Sequence, residues 1–394
     1  MPSDNDGEYC EIVDDFGCLA YESLCETDDP DEIKWIRVER SPDEFEWTSQ
    51  AAIIAEMHRV SEELSSYGNA ELYERKWVPT GGAQGSSDRF ISVLQFNMLA
   101  EGLSSGPQSK APFPMSPDDS MTKSDKRDYG GFTEIVHPEI VLNFEMRRWR
   151  LLDVLLQGGA APYDVICVEE IDRYRGFFAP ILRLFGYDGL FVPKPRAPGV
   201  RMGWYSDGCA LFFRTEMFEL LSQESIEYQV GNQVFLTAGL KHLDSEKILL
   251  FAVTHLKAQS NEVNEQIRAR QIDELVAHLD EKASLLKADA VVLCGDFNAD
   301  PGGVGNHSAI QRLLRYGKRD FISAYGIDPP SKELYTTWKI RGMNTMKRII
   351  DYIFSSGAAH CIEILDVPQD IEVAKLPGLR YPSDHIAIGA RFEI

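Results

Sequence analysis

Polar side chains with the chemistry of acids, bases and metal ligands stand where apolar runs of this sequence end. In Val291 to Asp300 (VVLCGDFNAD), an apolar run gives way to Asp296, an ionised carboxylate, and Asn298, a neutral amide. Strand alternation points these two side chains the same way, and Gly295 gives the backbone room to turn. The pattern predicts either a buried strand with a functional site at its end or an ordinary Asp/Asn turn.

Five further polar residues stand at or within apolar runs in the same way: Asn97, Glu170, His255, Asp351 and His385. Glu170 follows Glu169 directly, and because only one of two adjacent acids faces outward comfortably, we expect one of them to belong to a site. Oxygen donors without thiolates suit a hard cation such as Mg²⁺, with Mn²⁺ as the alternative, and Glu170 is the chief candidate ligand. Hydrolysis of a phosphate ester also needs an activated water and donors for the phosphate oxygens, which histidines and amides provide.

Strands and helices must position these residues, and the sequence contains both kinds of pattern. Apolar or alternating segments predict strands at Phe90–Asn97, Asp164–Val168, Cys209–Phe213, Lys247–His255 and Arg348–Phe354. A last strand is predicted after Asp384-His385, within the closing segment Tyr381–Phe392. Helical spacing predicts one helix that carries Trp149, Leu152, Leu155 and Leu156 and another from Asn261 to Glu281. Almost all of the polar residues then fall at one end of the strands, and we expect them to converge on one rim.

A Gly/Ser-rich stretch, Pro79–Ser87 (PTGGAQGSS), marks the clearest domain boundary. It separates an acidic N-terminal extension, residues 1–86, from a catalytic domain, residues 87–394. The catalytic domain contains a long loop at 102–140, of the length that is typical of lids or disorder.

The extension contains one amphipathic helix and an acid-rich segment. The apolar side chains of the helix share one face: Ile53, Met57, Val60 and Leu64. We expect this face to pack on the catalytic core, with a partner-binding helix as the alternative. Residues 1–46 are interpreted as a partly disordered appendage, and the sequence does not indicate which protein partner it would bind.

The distribution of charge bears on the substrate. The chain of 394 residues has a net charge of −22, and residues 1–50 alone hold 16 acidic and 3 basic side chains. The remainder is also net negative, unlike the basic surface of a protein that tracks long nucleic acid, so a compact anionic substrate fits better.

Seven cysteines, an odd number, favour reduced thiols in an intracellular protein. No apolar run reaches the roughly 18 residues of a membrane span, and we expect a cytoplasmic location, with the nucleus as the alternative.

Seven motifs, FNMLAEG, VICVEEID, DGCALFF, VTHLKA, CGDFNADP, IDYIF and YPSDH, resemble those of the exonuclease-endonuclease-phosphatase superfamily. Four segments, FVPKP, GNQV, VTHLKA and YTTWKIR, are similar to its nocturnin (Curled) branch rather than to the carbon-catabolite-repression deadenylases or angel-type phosphatases. The resemblance covers roughly residues 90–394. It implies an α/β fold of the DNase-I-like kind, a four-layer αββα sandwich of two mixed β-sheets flanked by helices.

The resemblance also implies roles for individual residues. Glu170 would hold Mg²⁺ with help from Asn97, and His385, polarised by Asp351, would activate water. Asp296 and Asn298 would orient water and phosphate, while His255 would stabilise negative charge that develops on phosphorus. The residues expected to contact or shape the site of the substrate are Lys194, Asp207, Asn232, Lys257, Gln259, Trp338 and Arg341.

The activity implied by the nocturnin branch is removal of the 2′-phosphate of NADP(H), which gives NAD(H) and phosphate. The alternatives are a 3′-5′ poly(A) exoribonuclease (deadenylase) acting on mRNA and a non-catalytic scaffold. Two residues depart from the branch: Gln259 stands where an arginine is expected, and Glu169 where a glutamine is usual. Either Arg268 or Arg270 is a candidate to replace the missing cation at the phosphate pocket.

Overall fold

The computed structural model describes residues 9–13, 19–23, 36–39, 46–80, 90–113, 128–305, 307–327, 334–371 and 375–394. The strands are β1 (Tyr9–Val13), β2 (Leu19–Ser23), β3 (Ile36–Val38), β4 (Trp77–Pro79), β5 (Phe90–Asn97), β6 (Val165–Ile171), β7 (Tyr187–Pro193), β8 (Gly208–Arg214), β9 (Phe218–Glu227), β10 (Val234–His242), β11 (Ile248–His255), β12 (Ala290–Asp296), β13 (Ile322–Ser323), β14 (Thr337–Arg341), β15 (Asn344–Arg348), β16 (Asp351–Gly357), β17 (His360–Leu365) and β18 (Ile388–Glu393). The helices are α1 (Gln50–Ser65), α2 (Pro138–Val141), α3 (Phe144–Leu156), α4 (Ala179–Leu184), α5 (Pro198–Arg201), α6 (Glu262–Leu286) and α7 (Ala309–Leu314).

Two mixed sheets form the centre of the fold. One has six strands in the order β13-β16-β12-β11-β10-β9, and the other has seven in the order β4-β17-β18-β5-β6-β8-β7. Their inner faces pack together through buried apolar side chains of both sheets, among them Val93, Cys167, Leu236, Phe251 and Val292. The strands between the sheets are apolar because both of their faces are covered.

Helices cover the outer face of each sheet. The buried face of α6, with Ile272 and Leu275, packs on Val291 and Leu293 of the six-stranded sheet. Trp149 and Leu152 of α3 belong to the core on the outer face of the seven-stranded sheet, as α1 and α4 do. The layers are therefore helix, sheet, sheet and helix, and the predicted αββα sandwich is confirmed.

The amphipathic helix of the N-terminal extension is α1. The side chain of Ser49 caps it by accepting a hydrogen bond from the backbone N–H of Ala52, and its four predicted apolar residues are all buried in the core shared with α3. Arg150 of α3 also donates to the hydroxyl of Ser61 at 3.2 Å. The expectation that this helix packs on the catalytic core is confirmed.

Two other segments that precede the Gly/Ser-rich stretch contact the catalytic fold. Strand β4 pairs with β17 at the edge of the seven-stranded sheet. Glu39, next to β3, accepts hydrogen bonds from Arg173 at 2.7 Å and from the N–H of Gly176 at 2.9 Å. Most of residues 1–46, and residues 81–89, which include most of the Gly/Ser-rich stretch, lie outside the described residues. The division at residue 86 stays a prediction.

Among the described residues, no helix is both long enough and apolar enough to cross a bilayer.

The packing of α1 predicts the effect of a truncation on its buried face. Met57→Ala removes a side chain that is 2% exposed, and the cavity left behind should lower the free energy of unfolding by about 2–5 kcal/mol. Urea denaturation followed by circular dichroism measures this change. His58→Ala, on the exposed side of the same helix turn, is the matched control and should have little effect. Equal stability of the two variants would contradict the packing of α1 on the core.

Candidate active site

The register of the six-stranded sheet places three polar residues side by side. His255 at the end of β11 is aligned with Asp296 at the end of β12, and Asp296 is aligned with Asp351 at the start of β16. In the other sheet, Asn97 at the end of β5 is aligned with Glu169 of β6. The amide Nδ2 of Asn97 donates to Oδ2 of Asp296 at 3.0 Å, so the rims of the two sheets meet at this point.

A β-bulge separates the roles of the two adjacent glutamates. The register between β6 and β8 shifts between Glu169 and Ile171, and the φ angle of Glu170 is +55°, in the left-handed region. Glu170 lines the cleft, whereas the side chain of Glu169 is fully buried behind it. The bulge thus directs only one of the two acids to the site, as a bulge beside an active site commonly does.

The carboxylate of Glu170 is held by two donors. Its Oε1 accepts from Nδ2 of Asn97 at 3.1 Å, and its Oε2 accepts from the N–H of Ala100 at 3.2 Å. Asn97 thereby bridges Glu170 and Asp296, while its Oδ1 accepts from the N–H of Leu99 at 3.0 Å. In this orientation Asn97 faces the carboxylates with its nitrogen rather than with a ligand oxygen.

The donor set of the site fits a hard divalent cation. Asp296, Asp351 and His385 are buried, and one potential ligand atom of each lies within 4.8 Å of the others. The carboxylate of Glu170 shares the amide of Asn97 with Asp296. Carboxylate oxygens are the protein ligands that Mg²⁺ and Mn²⁺ prefer, and the acids supply this part of the donor set. The assignment of Glu170 and Asn97 as the metal ligands stays a prediction.

His385 and Asp351 form a hydrogen-bonded pair. The Nδ1 of His385 lies 2.9 and 3.1 Å from the two carboxylate oxygens of Asp351, and its Nε2 lies 3.8 Å from Oδ2 of Asp296. Burial opposes the charged imidazole, but Asp351 and then Asp384 outweigh it and raise the pKa of His385 to about 9. Asp351 therefore fixes both the orientation of the ring and its affinity for a proton.

His255 has the opposite electrostatic environment. Burial, followed by the positive charge of Lys194, lowers the pKa of His255 well below its ordinary value. Asn298 lies with Nδ2 3.0 Å from Nε2 of His255 and also donates to the backbone O of Leu256 at 3.1 Å. The φ angle of Asn298 is +51°, in the left-handed region, so the amide beside His255 is held by a constrained backbone.

The carboxyl groups of Asp296 and Glu169 both favour the neutral form in the structure. Burial, and then the negative charge of Asp351, raise the pKa of Asp296 to about 7. Burial, and then the same charge, raise the pKa of Glu169 well above its ordinary value. Glu169 accepts a hydrogen bond from Nε2 of Gln95 at 2.7 Å and has no cation against it among the described residues.

Two cations on β14 flank Asp384. Lys339 donates to Oδ2 of Asp384 in a short contact, and Nη2 of Arg341 lies 3.3 Å from the same oxygen. Burial opposes the ionised carboxylate, but Lys339, His385 and Arg341 hold the pKa of Asp384 well below its usual range. Arg341 is also stacked on the ring of Phe132, 4.2 Å from its centroid.

A cleft of about 450 Å³ opens above these groups. The sequence-predicted residues that line it are Glu170, Lys194, Asn232, His255, Lys257, Gln259, Asp296, Asn298, Arg341 and His385. Asn97 and Asp351 lie directly behind this surface and hold its acids and His385. The described parts of the long loop contribute Gly102, Leu103, Ser105 and Gly130 to the wall, and residues 114–127 lie outside the described residues.

Two predicted substrate contacts have other positions. Asp207 is 2% exposed and accepts from Nζ of Lys194 at 2.9 Å, so it fixes that lysine from behind. Trp338 does not line the cleft, because strand alternation directs Lys339 and Arg341 towards Asp384 and Trp338 to the other face of β14. There its ring packs against Tyr335 and lies under Lys347 and Lys375. Contact between Trp338 and a substrate stays a prediction without support from this geometry.

Arg268 does not take the place of the missing arginine at position 259. It is fully buried, pairs with Glu265, and donates through Nη1 to the backbone O of Lys257 at 2.6 Å and of Gln259 at 2.9 Å. Its charge therefore holds the wall of the cleft from behind. Arg270 is exposed on α6 and is not part of the lining.

Three buried amides beside the site were absent from the predicted set: Gln95, Gln233 and Gln271. Nε2 of Gln95 lies 2.7 Å from Glu169 and 3.4 Å from Oδ1 of Asp351. An amide inside the apolar run FISVLQFN, two residues before Asn97 and on the same face, was a signal for it. Gln271 carries no such signal, because the sequence around it in α6 mixes polar and apolar residues.

Comparison with known proteins gives matches over most of the chain. The model of the Endonuclease/Exonuclease/phosphatase family matches residues 140–385. Nocturnin of Mus musculus is 32% identical over 330 residues, which cover 81% of this chain and 69% of the relative. The CCR4-Not complex 3′-5′-exoribonuclease subunit Ccr4 of Kluyveromyces lactis is 26% identical over 305 residues, which cover 65% of this chain and 38% of the relative.

Solved structures show the same architecture. The human nocturnin catalytic domain with bound sulfate anion is 27% identical, with a TM-score of 0.58, and the match covers 81% of this chain and 96% of that domain. ANGEL2, a 2′,3′-cyclic phosphatase, is 20% identical, with a TM-score of 0.60, and the match covers 82% and 98% of the two chains. The second likeness concerns the fold alone.

The pairing of His385 with Asp351 predicts a titration. In metal-free protein the pKa of His385, about 9, should fall towards its ordinary value of 6.5 in Asp351→Asn, because the neutral amide no longer stabilises the imidazolium. NMR titration of the histidine ring protons in EDTA measures this shift. Asp188→Asn, exposed on β7, is the control and should leave the titration unchanged. A pKa that stays near 9 in Asp351→Asn would show that the pair does not govern His385.

Proposed function

Because the chain belongs to the endonuclease/exonuclease/phosphatase family, and within it to the nocturnin branch, we propose that it is a Mg²⁺-dependent phosphatase that removes the 2′-phosphate of NADP(H). The products are NAD(H) and inorganic phosphate. The coarser class, a phosphoester hydrolase of this family, follows from the membership itself.

The observation that carries the proposal is the size and charge of the cleft. Its volume of about 450 Å³ lies within the range of sites for small molecules. Four cations line it, Lys194, Lys257, Lys339 and Arg341, in a protein whose net charge is −22. A confined group of cations in an acidic protein suits a compact anion such as a phosphorylated dinucleotide.

Each residue of the site has a separate role in the hydrolysis of the phosphate ester. Asp351 holds Nδ1 of His385, so that Nε2 is the ring atom that takes a proton from the attacking water. Only the neutral ring can do so, and because the pKa of His385 is raised to about 9, the fraction of molecules with a neutral ring increases as the pH rises towards that value. Asp296 and Asn298, in the lining of the same cleft, orient the water and the phosphate oxygens. Mg²⁺, held at Glu170 with Asn97 beside it, supplies positive charge against the phosphate oxygens when it is bound.

Recognition of the phosphate groups falls to the cations of the lining. Burial opposes the charge of Lys194, but Asp207 and Glu170 raise the pKa of this lysine, so it stays protonated. Arg341 is fixed by Asp384 and by the ring of Phe132, which leaves its other donors for an anion. The sulfate anion bound by the human nocturnin domain supports this argument, because sulfate and phosphate are both tetrahedral oxyanions.

A 3′-5′ poly(A) exoribonuclease is the competing activity, favoured by the similarity to the Ccr4 subunit. Such an enzyme needs cationic side chains that follow the RNA backbone beyond the nucleotide in the site. The negative charge of the chain argues against that requirement. A non-catalytic scaffold is disfavoured because the acid, base and amide groups needed for hydrolysis are all present.

The proposed reaction is tested directly with purified full-length chain. Phosphate should be released from NADPH in the presence of Mg²⁺ and not in EDTA, and Glu170→Gln should lose at least ~100-fold in kcat/KM because a charged ligand is replaced by a neutral one. A colorimetric phosphate assay follows the reaction, with NADP⁺, coenzyme A and oligo(A) as parallel substrates. Glu62→Gln, on the exposed face of α1, is the control for the loss of one carboxylate. Hydrolysis of oligo(A) without release of phosphate from NADPH would overturn the proposal.

The absent arginine at position 259 predicts a gain of affinity. Gln259 lines the cleft, and Gln259→Arg adds a charge-assisted contact of about 1.5–3 kcal/mol to a phosphate group, so KM for NADPH should fall roughly tenfold or more. Steady-state kinetics at fixed ionic strength measure the change. Gln223→Arg, exposed on edge strand β9, adds the same charge away from the cleft and should leave KM unchanged. An equal effect of both variants would mean that general charge attraction, and not position 259, governs binding.

A further inference from the structure

One wall of the cleft is the segment 257–259, and helix α6 holds it through backbone contacts. Arg268 binds the carbonyl groups of Lys257 and Gln259 from behind. One turn along the helix, Oε1 of Gln271 accepts from the N–H of Lys257 at 3.0 Å. Gln271 is fully buried, and its Nε2 points to Gln233, in a second part of the cleft wall.

Backbone groups fix the orientation of the Gln271 amide. Its oxygen faces the N–H of Lys257, which only donates, and its Nε2 lies 3.0 Å from the carbonyl O of Val230, which only accepts. The same Nε2 donates to Oε1 of Gln233 at 2.9 Å. A reversed amide would oppose donor to donor at one end and acceptor to acceptor at the other.

The orientation passes from Gln271 to the next two amides. Oε1 of Gln233 accepts from Gln271 and faces the backbone N–H of Asn232 at 3.3 Å, so Nε2 of Gln233 donates to Oδ1 of Asn232 at 2.6 Å. Asn232 then turns its Nδ2 to the carbonyl O of Arg196 at 3.3 Å. The backbone groups at both ends of this chain of amides therefore require the same donor-to-acceptor direction along it.

The backbone at Gly231 is shaped around the same chain. Its φ angle is +89°, and a Cβ at this position would lie 2.4 Å from Oε1 of Gln233 and 3.2 Å from Nε2 of Gln271. A larger residue would displace the two amides from each other. The close approach and the left-handed backbone together require glycine here.

We propose that Gln271 and Gln233 are positioning residues that make Asn232 a hydrogen-bond donor to the substrate. Asn232 is half-buried in the lining of the cleft, one hydrogen of its Nδ2 binds Arg196, and the second is available to a ligand. The group recognised at this place is an acceptor, such as an oxygen of a phosphate or pyrophosphate group. The inference rests on the proposed function, because it takes a nucleotide as the ligand. It goes further in assigning the wall of the cleft at Asn232 as the place that donates a hydrogen bond to an oxygen atom of that ligand.

A double-mutant cycle tests the relay. Gln233→Met removes the acceptor for Gln271 and the donor to Asn232 without adding a buried charge, and it should raise KM for NADPH about tenfold at unchanged kcat. Asn232→Ala should give a similar increase, and Gln233→Met combined with Asn232→Ala should be no worse than Asn232→Ala alone. Gln266→Met, exposed on α6, makes the same change of side chain away from the cleft and should leave both constants unchanged.

The outcomes separate the relay from simple loss of structure. Increases in KM that multiply in the double variant, a fall in kcat, or an unaltered KM in Asn232→Ala would each overturn the proposal. Where thermal melting shows that Gln233→Met is unfolded, Gln271→Met takes its place in the cycle, because it removes the donor to Gln233 without a buried charge. Failure of the wild-type chain to hydrolyse NADPH would remove the proposed function only, and the cycle is then measured with oligo(A).

Discussion

The hydrogen bond from Asn97 to Asp296 joins the two sheets at the rim where the site lies. Asn97 ends a strand of the seven-stranded sheet and Asp296 ends a strand of the six-stranded sheet. Each sheet by itself arranges its polar residues through strand register, which fixes His255, Asp296 and Asp351 in one row. The position of Glu170 relative to that row depends on how the apolar inner faces of the two sheets pack. Asn97 stabilises this position by donating hydrogen bonds to the carboxylates of Glu170 and Asp296. The hydrophobic core between the sheets is in this sense part of the active-site geometry.

The acids of the rim differ in what balances their charge. Asp384 is held by Lys339 and Arg341, Asp207 by Lys194, and Asp351 by His385. Glu170 and Asp296 share one neutral amide instead. Burial, and then the negative charge of Asp351, raise the pKa of Asp296, although Nε2 of His385 lies 3.8 Å from its Oδ2. Glu170 and Asp296 are thus the two acids that face the cleft together without a lysine or arginine bound to them, and a divalent cation would be stabilised there.

The sequence allowed the strands and most of the rim to be predicted, because apolar runs that end in a polar residue encode both the strand and the place of its last side chain. Asn97, His255 and Asp296 were located in this way, and the buried face of α1 followed from helical spacing. The bulge at Glu170 could not be foreseen, since it depends on the register with β8. The packing of Trp338 away from the cleft and the capture of Arg268 by backbone carbonyls depend on contacts between distant segments. Local pattern therefore predicts which residues stand at the rim, while tertiary contacts decide which atoms they present.

The wall formed by residues 257–259 is held by its backbone alone. Arg268 and Gln271 bind the carbonyl and N–H groups of this segment, and neither contact involves the side chain of Gln259. The shape of the wall therefore does not depend on contacts of the Gln259 side chain. A substitution that tolerates the φ angle of +73° at this position would change the chemistry offered to a ligand, while the backbone that presents it stays in place.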